Sequence, residues 1–121
     1  MLCDTNILIE YLKNDPVVVD IILELQRARQ PLFVSVITIT EILAYPPITP
    51  AEHVRITQFL SAFIPMSITV STANRASLFK RKYRLSLGDA FIAASAEEGN
   101  ILLITRDKAF SKIKEITVRT I

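Results

Sequence analysis

Four acids are placed where they could do chemistry together: Asp4, Glu41, Asp89 and Asp107. Each also has a local explanation. Asp4 could cap a helix that begins just after it, and Asp107 could do the same for a short helix further on. Glu41 could answer Thr38, and Asp89 could answer Ser86, in the reciprocal arrangement that closes a helix start. None of these local roles requires the four acids to meet. If they do meet, they repel one another and raise one another's pKa. Such a group calls for a cation, and all-oxygen ligation favours Mg²⁺ or Mn²⁺ over zinc, which prefers histidine and cysteine. Ions of that kind serve phosphoryl chemistry, where they activate water and offset charge developing on the phosphate. The chain offers little competition for the role. It has one histidine, His53, expected on an exposed helix turn, one cysteine, Cys3, and only two glycines, so no glycine-rich phosphate loop exists.

Whether the acids meet depends on the elements that carry them. Residues 1–3 form an apolar run, expected as a strand, followed by Asp4-Thr5-Asn6 and a short helix over 7–12. Asp15-Pro16 has the form of a helix start, an acid at the cap and proline in the first turn. Residues 17–29 then place Val18, Ile21, Ile22 and Leu25 on one helical face. Residues 32–36 predict a second strand and 37–44 a helix stopped by Pro46-Pro47. Thr49, Pro50 and Glu52 open a helix reaching about residue 63, with Val54, Phe59, Leu60 and Phe63 as buried candidates. A third strand is expected over 66–70, with Ser71 capping a helix over 72–83. Another helix covers 88–98, its alanines Ala90, Ala93, Ala94 and Ala96 suited to close packing, and Gly99-Asn100 ends it. Residues 101–104 are continuously apolar, as a strand buried on both faces should be. A short helix after Asp107 and a strand near 116–119 complete the pattern.

Strands separated by helices predict an α/β fold: a three-layer α/β/α sandwich with a central, mostly parallel sheet of four or five strands. Residues 1–121 are expected to form a single domain. In a parallel sheet the carboxyl ends of the strands share one edge, and ligands bind there. Asp4 and Asp107 directly follow strands. Glu41 lies near the start of the helix leaving the second strand, and Asp89 opens the helix returning towards the fourth. All four acids are therefore expected at one edge.

Half of the 121 residues are hydrophobic, and no low-complexity segment interrupts them, which is the composition of a packed domain. The net charge of +2 is compatible with nucleic acid and far from diagnostic of it. Lys80, Arg81, Lys82 and Arg84 form one basic cluster, and Arg106, Lys108, Lys112 and Lys114 form another; a solvated helix face is the commoner explanation of such clusters, which carry little weight alone. A single cysteine permits no intrachain disulfide, which suits a reducing cytoplasm, and Cys3 in its apolar run is expected in the core. No apolar stretch approaches the length of a membrane span, and no secretion signal is expected at the N-terminus.

Four segments occur in a particular order. They are Leu2-Cys3-Asp4-Thr5-Asn6, then Ser35-Val36-Ile37-Thr38-Ile39-Thr40-Glu41-Ile42, then Leu87-Gly88-Asp89-Ala90-Phe91-Ile92-Ala93-Ala94-Ser95-Ala96, and finally Leu102-Leu103-Ile104-Thr105-Arg106-Asp107. In this order and spacing the chain resembles the PIN-domain family over almost its whole length, and within it the VapC-like toxin ribonucleases of VapBC toxin–antitoxin pairs. The resemblance implies a PIN-like fold and a Mg²⁺- or Mn²⁺-dependent endoribonuclease acting on RNA. Asp4, Glu41, Asp89 and Asp107 would be the metal-binding, catalytic acids. Thr5, Asn6 and Thr105 would orient carboxylates or water from behind them. It further implies a homodimer and an antitoxin that covers the site. Arg106, Lys108 and the cluster of Lys80, Arg81, Lys82 and Arg84 are candidates to hold the RNA backbone by charge.

Two positions depart from the family pattern. Gly88 stands where proline or another residue is common, a change expected to affect only the helix start. Ala109 replaces a further acid or polar residue, so the fourth ligand position rests on Asp107 alone. Two other readings stay open. A PIN-like module could bind RNA or a partner without cutting, and Mn²⁺ titration separates that case. A receiver-type signalling domain has a similar length and class, but it needs adjacent acids after the first strand and an aspartate ending a middle strand. Here one acid follows the first strand and none ends the segment 66–70.

Overall fold

Successive residues of a strand face opposite sides of a sheet, and in this chain that alternation divides the interior into two cores. The computed structural model describes residues 1–44 and 48–121. The first strand, β1 (Leu2–Cys3), sends Leu2 into one core and Cys3 into the other. Strand β4 (Leu103–Thr105) divides its side chains likewise, Leu103 to one side and Ile104 to the other. Between them in sequence come α1 (Thr5–Leu12), α2 (Pro16–Arg27), β2 (Phe33–Ser35), α3 (Val36–Leu43), α4 (Pro50–Leu60), β3 (Ile64–Met66), α5 (Val70–Tyr83) and α6 (Leu87–Gly99). A 3₁₀ turn (Lys108–Lys112) and β5 (Val118–Thr120) follow β4.

All strand pairs are parallel, in the order β3-β2-β1-β4-β5. One core gathers α1 to α4 residues such as Ile7, Leu8, Val18, Ile22, Ile42 and Leu60. The other gathers α5, α6 and the 3₁₀ turn through Phe79, Ala90, Ala93, Ala94 and Phe110. The three-layer parallel architecture is thus the one expected from the sequence. Among the described residues no helix is long and apolar enough to cross a membrane.

The order of strands has a consequence for function. The chain leaves β1 for β2 and β3 on one side, then returns to lay β4 on the other side of β1. A reversal of this kind opens a crevice beyond the carboxyl ends of the two strands where it happens. Those strands are β1, followed by Asp4, and β4, followed two residues later by Asp107.

Element boundaries differ from expectation in a few places, each for a local reason. The third strand ends at Met66, because Thr69 and Thr72 form a reciprocal capping box that starts α5 two residues before Ser71 would have done. Val70 becomes the first residue of that helix and is 79% exposed. Helix α4 stops at Leu60, and Val54 on it is 55% exposed, whereas Leu60 and Phe63 are buried. The Pro46-Pro47 stop lies outside the described residues.

Candidate active site

Asp4 holds the N-cap position of α1, yet its side chain makes no capping hydrogen bond. It is 2% exposed. Its Oδ2 instead accepts a 2.7 Å hydrogen bond from the Thr105 hydroxyl, and that hydroxyl accepts a 2.9 Å bond from the Asp107 amide. A hydroxyl has one proton to give. Here it goes to Asp4, and the oxygen's lone pair serves Asp107. Thr105 therefore ties the residue after β1 to the residue after β4 and fixes the orientation of each.

The electrostatics follow from this placement. Burial pushes the Asp4 carboxyl up to about 6; the Thr105 hydrogen bond opposes the rise, while Asp89 and Asp107 add to it. Burial likewise raises Asp89, with Ser86 working against the rise and Asp107 for it. Asp107 is thus near enough to be felt at both Asp4 and Asp89, and none of the influences on either is a lysine or arginine. The Asp89 amide donates to Ser86 Oγ at 3.2 Å, without the return bond of a full capping box. Asp107 does act as a cap: its Oδ1 accepts from the Ala109 amide at 2.8 Å.

Glu41 is not a helix-start residue, because α3 begins at Val36 under a Ser35 cap and Glu41 falls in its second turn. Its Oε1 accepts from the Thr5 hydroxyl at 3.3 Å, and Thr5 Oγ1 lies 2.9 Å from Thr38 Oγ1 in a buried pair. If the Thr5 proton goes to Glu41, the Thr38 proton must go to Thr5. Thr38, expected only as a capping partner, is thus a buried support of the Thr5–Glu41 contact. The same oxygen lies close to Gly88: a Cβ there would stand 3.2 Å from Oε1. Glu41 accordingly contacts the chain neighbours of both Asp4 and Asp89.

The remaining expected residues divide. Asn6 is exposed, with no side-chain hydrogen bond among the described residues. Arg106 is occupied by a two-point contact with Asp15 at 3.1 Å and by Glu10 at 2.9 Å. Lys82 pairs with Glu115 at 2.8 Å, and Lys80 donates to the Leu85 carbonyl. Arg81, Arg84 and Lys108 are exposed and make no side-chain hydrogen bond or ion pair among the described residues. Burial pushes the Cys3 thiol up to about 12, consistent with an inert core residue.

A parallel sheet with its strand order reversing at β1 and β4, and aspartates beyond both, is the setting in which the family can be stated. The chain belongs to the PIN domain family, whose sequence pattern matches residues 1–116. PIN domains are generally nucleases. A toxin–antitoxin complex from Klebsiella pneumoniae contains a chain 30% identical to this one, with a TM-score of 0.84, covering 98% of this chain and 95% of that one. DNA-bound VapBC from Salmonella typhimurium contains a chain 20% identical, TM-score 0.83, covering 98% and 96%. VapBC2 from Rickettsia felis, bound to a DNA fragment from its promoter, contains one 18% identical, TM-score 0.83, covering 99% and 97%. The last two likenesses concern the fold alone. A search among curated proteins found no match.

Proposed function

We propose that this chain is a Mg²⁺- or Mn²⁺-dependent endoribonuclease, the toxin of a toxin–antitoxin pair, with residues 1–121 acting as one domain. One observation carries the reading. Asp89 and Asp107 both help to raise the pKa of the buried Asp4, and Asp107 that of Asp89, with no basic side chain among the influences on either. The donor chemistry fits a hard cation, since every candidate ligand is a carboxylate oxygen. The placement is looser: among the described residues no three histidine, cysteine or acidic side chains stand close enough to hold an ion as they are. Asp4, Asp89 and Asp107 would hold the ion, with Glu41 completing the set from α3.

When bound, a divalent ion in such a site lowers the pKa of water and offsets charge on a phosphodiester. The chain's own residues do the rest. Thr105 keeps the Asp4 carboxylate in one orientation, and Thr5, supported by Thr38, does the same for Glu41. Exposed Arg81, Arg84 and Lys108 are available to hold the RNA backbone by charge. Toxin–antitoxin complexes among the structural relatives support an antitoxin partner for this chain, and the family resemblance supports a homodimer and a cytoplasmic setting.

Cleavage of RNA by the purified chain should require Mg²⁺ or Mn²⁺, stop with EDTA, and be lost in Asp4→Asn and Asp89→Asn variants that remain folded. Undiminished cleavage by either variant would overturn the assignment. The open placement of the acids favours a second reading, a PIN-like module that binds RNA or a partner without cutting. Absence of Mn²⁺ binding at millimolar concentration by calorimetry would select it.

A further inference from the structure

Gly88 was expected to influence only the start of α6, but its surroundings give it a more specific place. Ile37 and Glu41 are four residues apart on α3 and so share a face of that helix. The first turn of α6 packs on that face, and Gly88 is its point of contact. A Cβ added at Gly88 would meet Ile37 Cγ2 at 3.8 Å, an ordinary contact, but would stand 3.2 Å from Glu41 Oε1. The added carbon would therefore crowd the carboxylate and nothing else. That same oxygen accepts the 3.3 Å bond from Thr5, which is already near the limit of a useful hydrogen bond. A displacement of a few tenths of an ångström away from Thr5 would break it.

We propose that Gly88 is a positioning residue: its missing side chain lets the Glu41 carboxylate lie against the first turn of α6 while keeping its hydrogen bond from Thr5. The proposal rests on the reading of Glu41 as a cation-binding acid. It goes beyond that reading by assigning the approach of Glu41 to a residue with no functional group.

The test is a double-mutant cycle on the full chain, with Mn²⁺ affinity measured by calorimetry and Tm measured without metal. Gly88→Ala should weaken Mn²⁺ binding by about 3- to 10-fold while leaving Tm unchanged or higher, because alanine is the better helix former. Glu41→Gln should weaken binding by at least as much. The double variant should bind no more weakly than Glu41→Gln alone, since with the carboxylate gone the added methyl has nothing left to displace. Full affinity in Gly88→Ala, alongside weakened binding in Glu41→Gln, would overturn the proposal and leave the reading of Glu41 standing. Additive losses in the double variant would also overturn it, by showing that Gly88 acts through something else. Full affinity in Glu41→Gln, or no Mn²⁺ binding by the unaltered chain, would remove the underlying reading and the proposal with it.

Discussion

Two groups of acids stand on either side of one peptide bond and solve the same electrostatic problem in opposite ways. Arg106 lies between Glu10 and Asp15, and its hydrogen bonds hold the Asp15 carboxyl below the usual carboxylate range. Asp107, the next residue, adds instead to the effect of burial on Asp4 and Asp89, whose carboxyls are pushed up. The nearest arginine in sequence is thus turned away from the acids that lack a counter-charge. Sequence proximity does not decide the pairing; the turn after β4 does, by sending consecutive side chains in different directions. The paired group binds the β4 loop to α1 and α2, and the other group is left with a charge that only something from outside can balance.

The strongest way to break this contrast is Asp4→Asn, which keeps the shape and removes the buried charge. Cleavage should fall by more than the roughly 100-fold expected from losing an outer-shell partner of a metal site. Metal-free Tm near pH 7.5 should nevertheless rise, because an ionised group no longer has to be buried. A lower Tm would show that the carboxylate stabilises the fold and that the contrast is wrong.

The pH dependence sharpens the same point. Asp4 keeps its proton up to about pH 6 in the fold, but releases it near 4 in the unfolded chain. Between those values the fold binds more protons, so stability falls as pH rises. The stabilising contribution of the protonated group is complete below the unfolded value and lost through about pH 6, a change of about 3 kcal/mol. Asp15 works the other way: its contribution is present above the ordinary carboxylate value and disappears as pH falls through its lowered one. Urea melts from pH 4 to 7 without metal should show the loss, and Asp4→Asn should flatten it. A stability that climbs steadily over this range in both chains would contradict the assignment.

Thr105→Val comes next. Removing the hydroxyl that orients Asp4 and Asp107 should lower cleavage or Mn²⁺ affinity by about 10- to 100-fold. An unchanged affinity would reduce Thr105 to a packing residue. The smallest effect is expected at the paired group. Arg106→Met should lower Tm by about 3 °C and leave Mn²⁺ affinity as it was; a large loss of affinity would mean that the two groups are coupled after all.

Much of this was legible in the sequence because it depends on order alone. Acids after strands, and helices between strands, are enough to predict a parallel sheet with Asp4 and Asp107 at one edge. What stayed hidden depends on how neighbouring helices meet. The contact between Glu41 and Gly88 needs the distance between α3 and α6, and the Thr38–Thr5 pair needs the packing of α1 on α3. No periodicity encodes either. The pairing of Arg106 with Glu10 and Asp15 was equally invisible, and with it the loss of Arg106 as a free contact for RNA. Asn6 was expected from its motif to stand behind the acids, but it is exposed in the first turn of α1. Strand limits slipped because strands of two or three residues are too short for alternation to mark their ends, as at β3. The start of α5 slipped because its capping box uses a threonine, Thr72, where an acid or glutamine is the usual signal.

The bond between Thr105 and Asp4 joins residues 101 positions apart. Strand β1 is flanked by β4 on that side of the sheet, so the crevice has only one wall until β4 is in place. During synthesis, whatever chemistry the crevice performs must wait until the residues of β4, as far as Thr105, have been made. A ribosome that stalls early, or a protease that cuts within the first hundred residues of an unfinished copy, leaves a fragment without the second wall of that crevice.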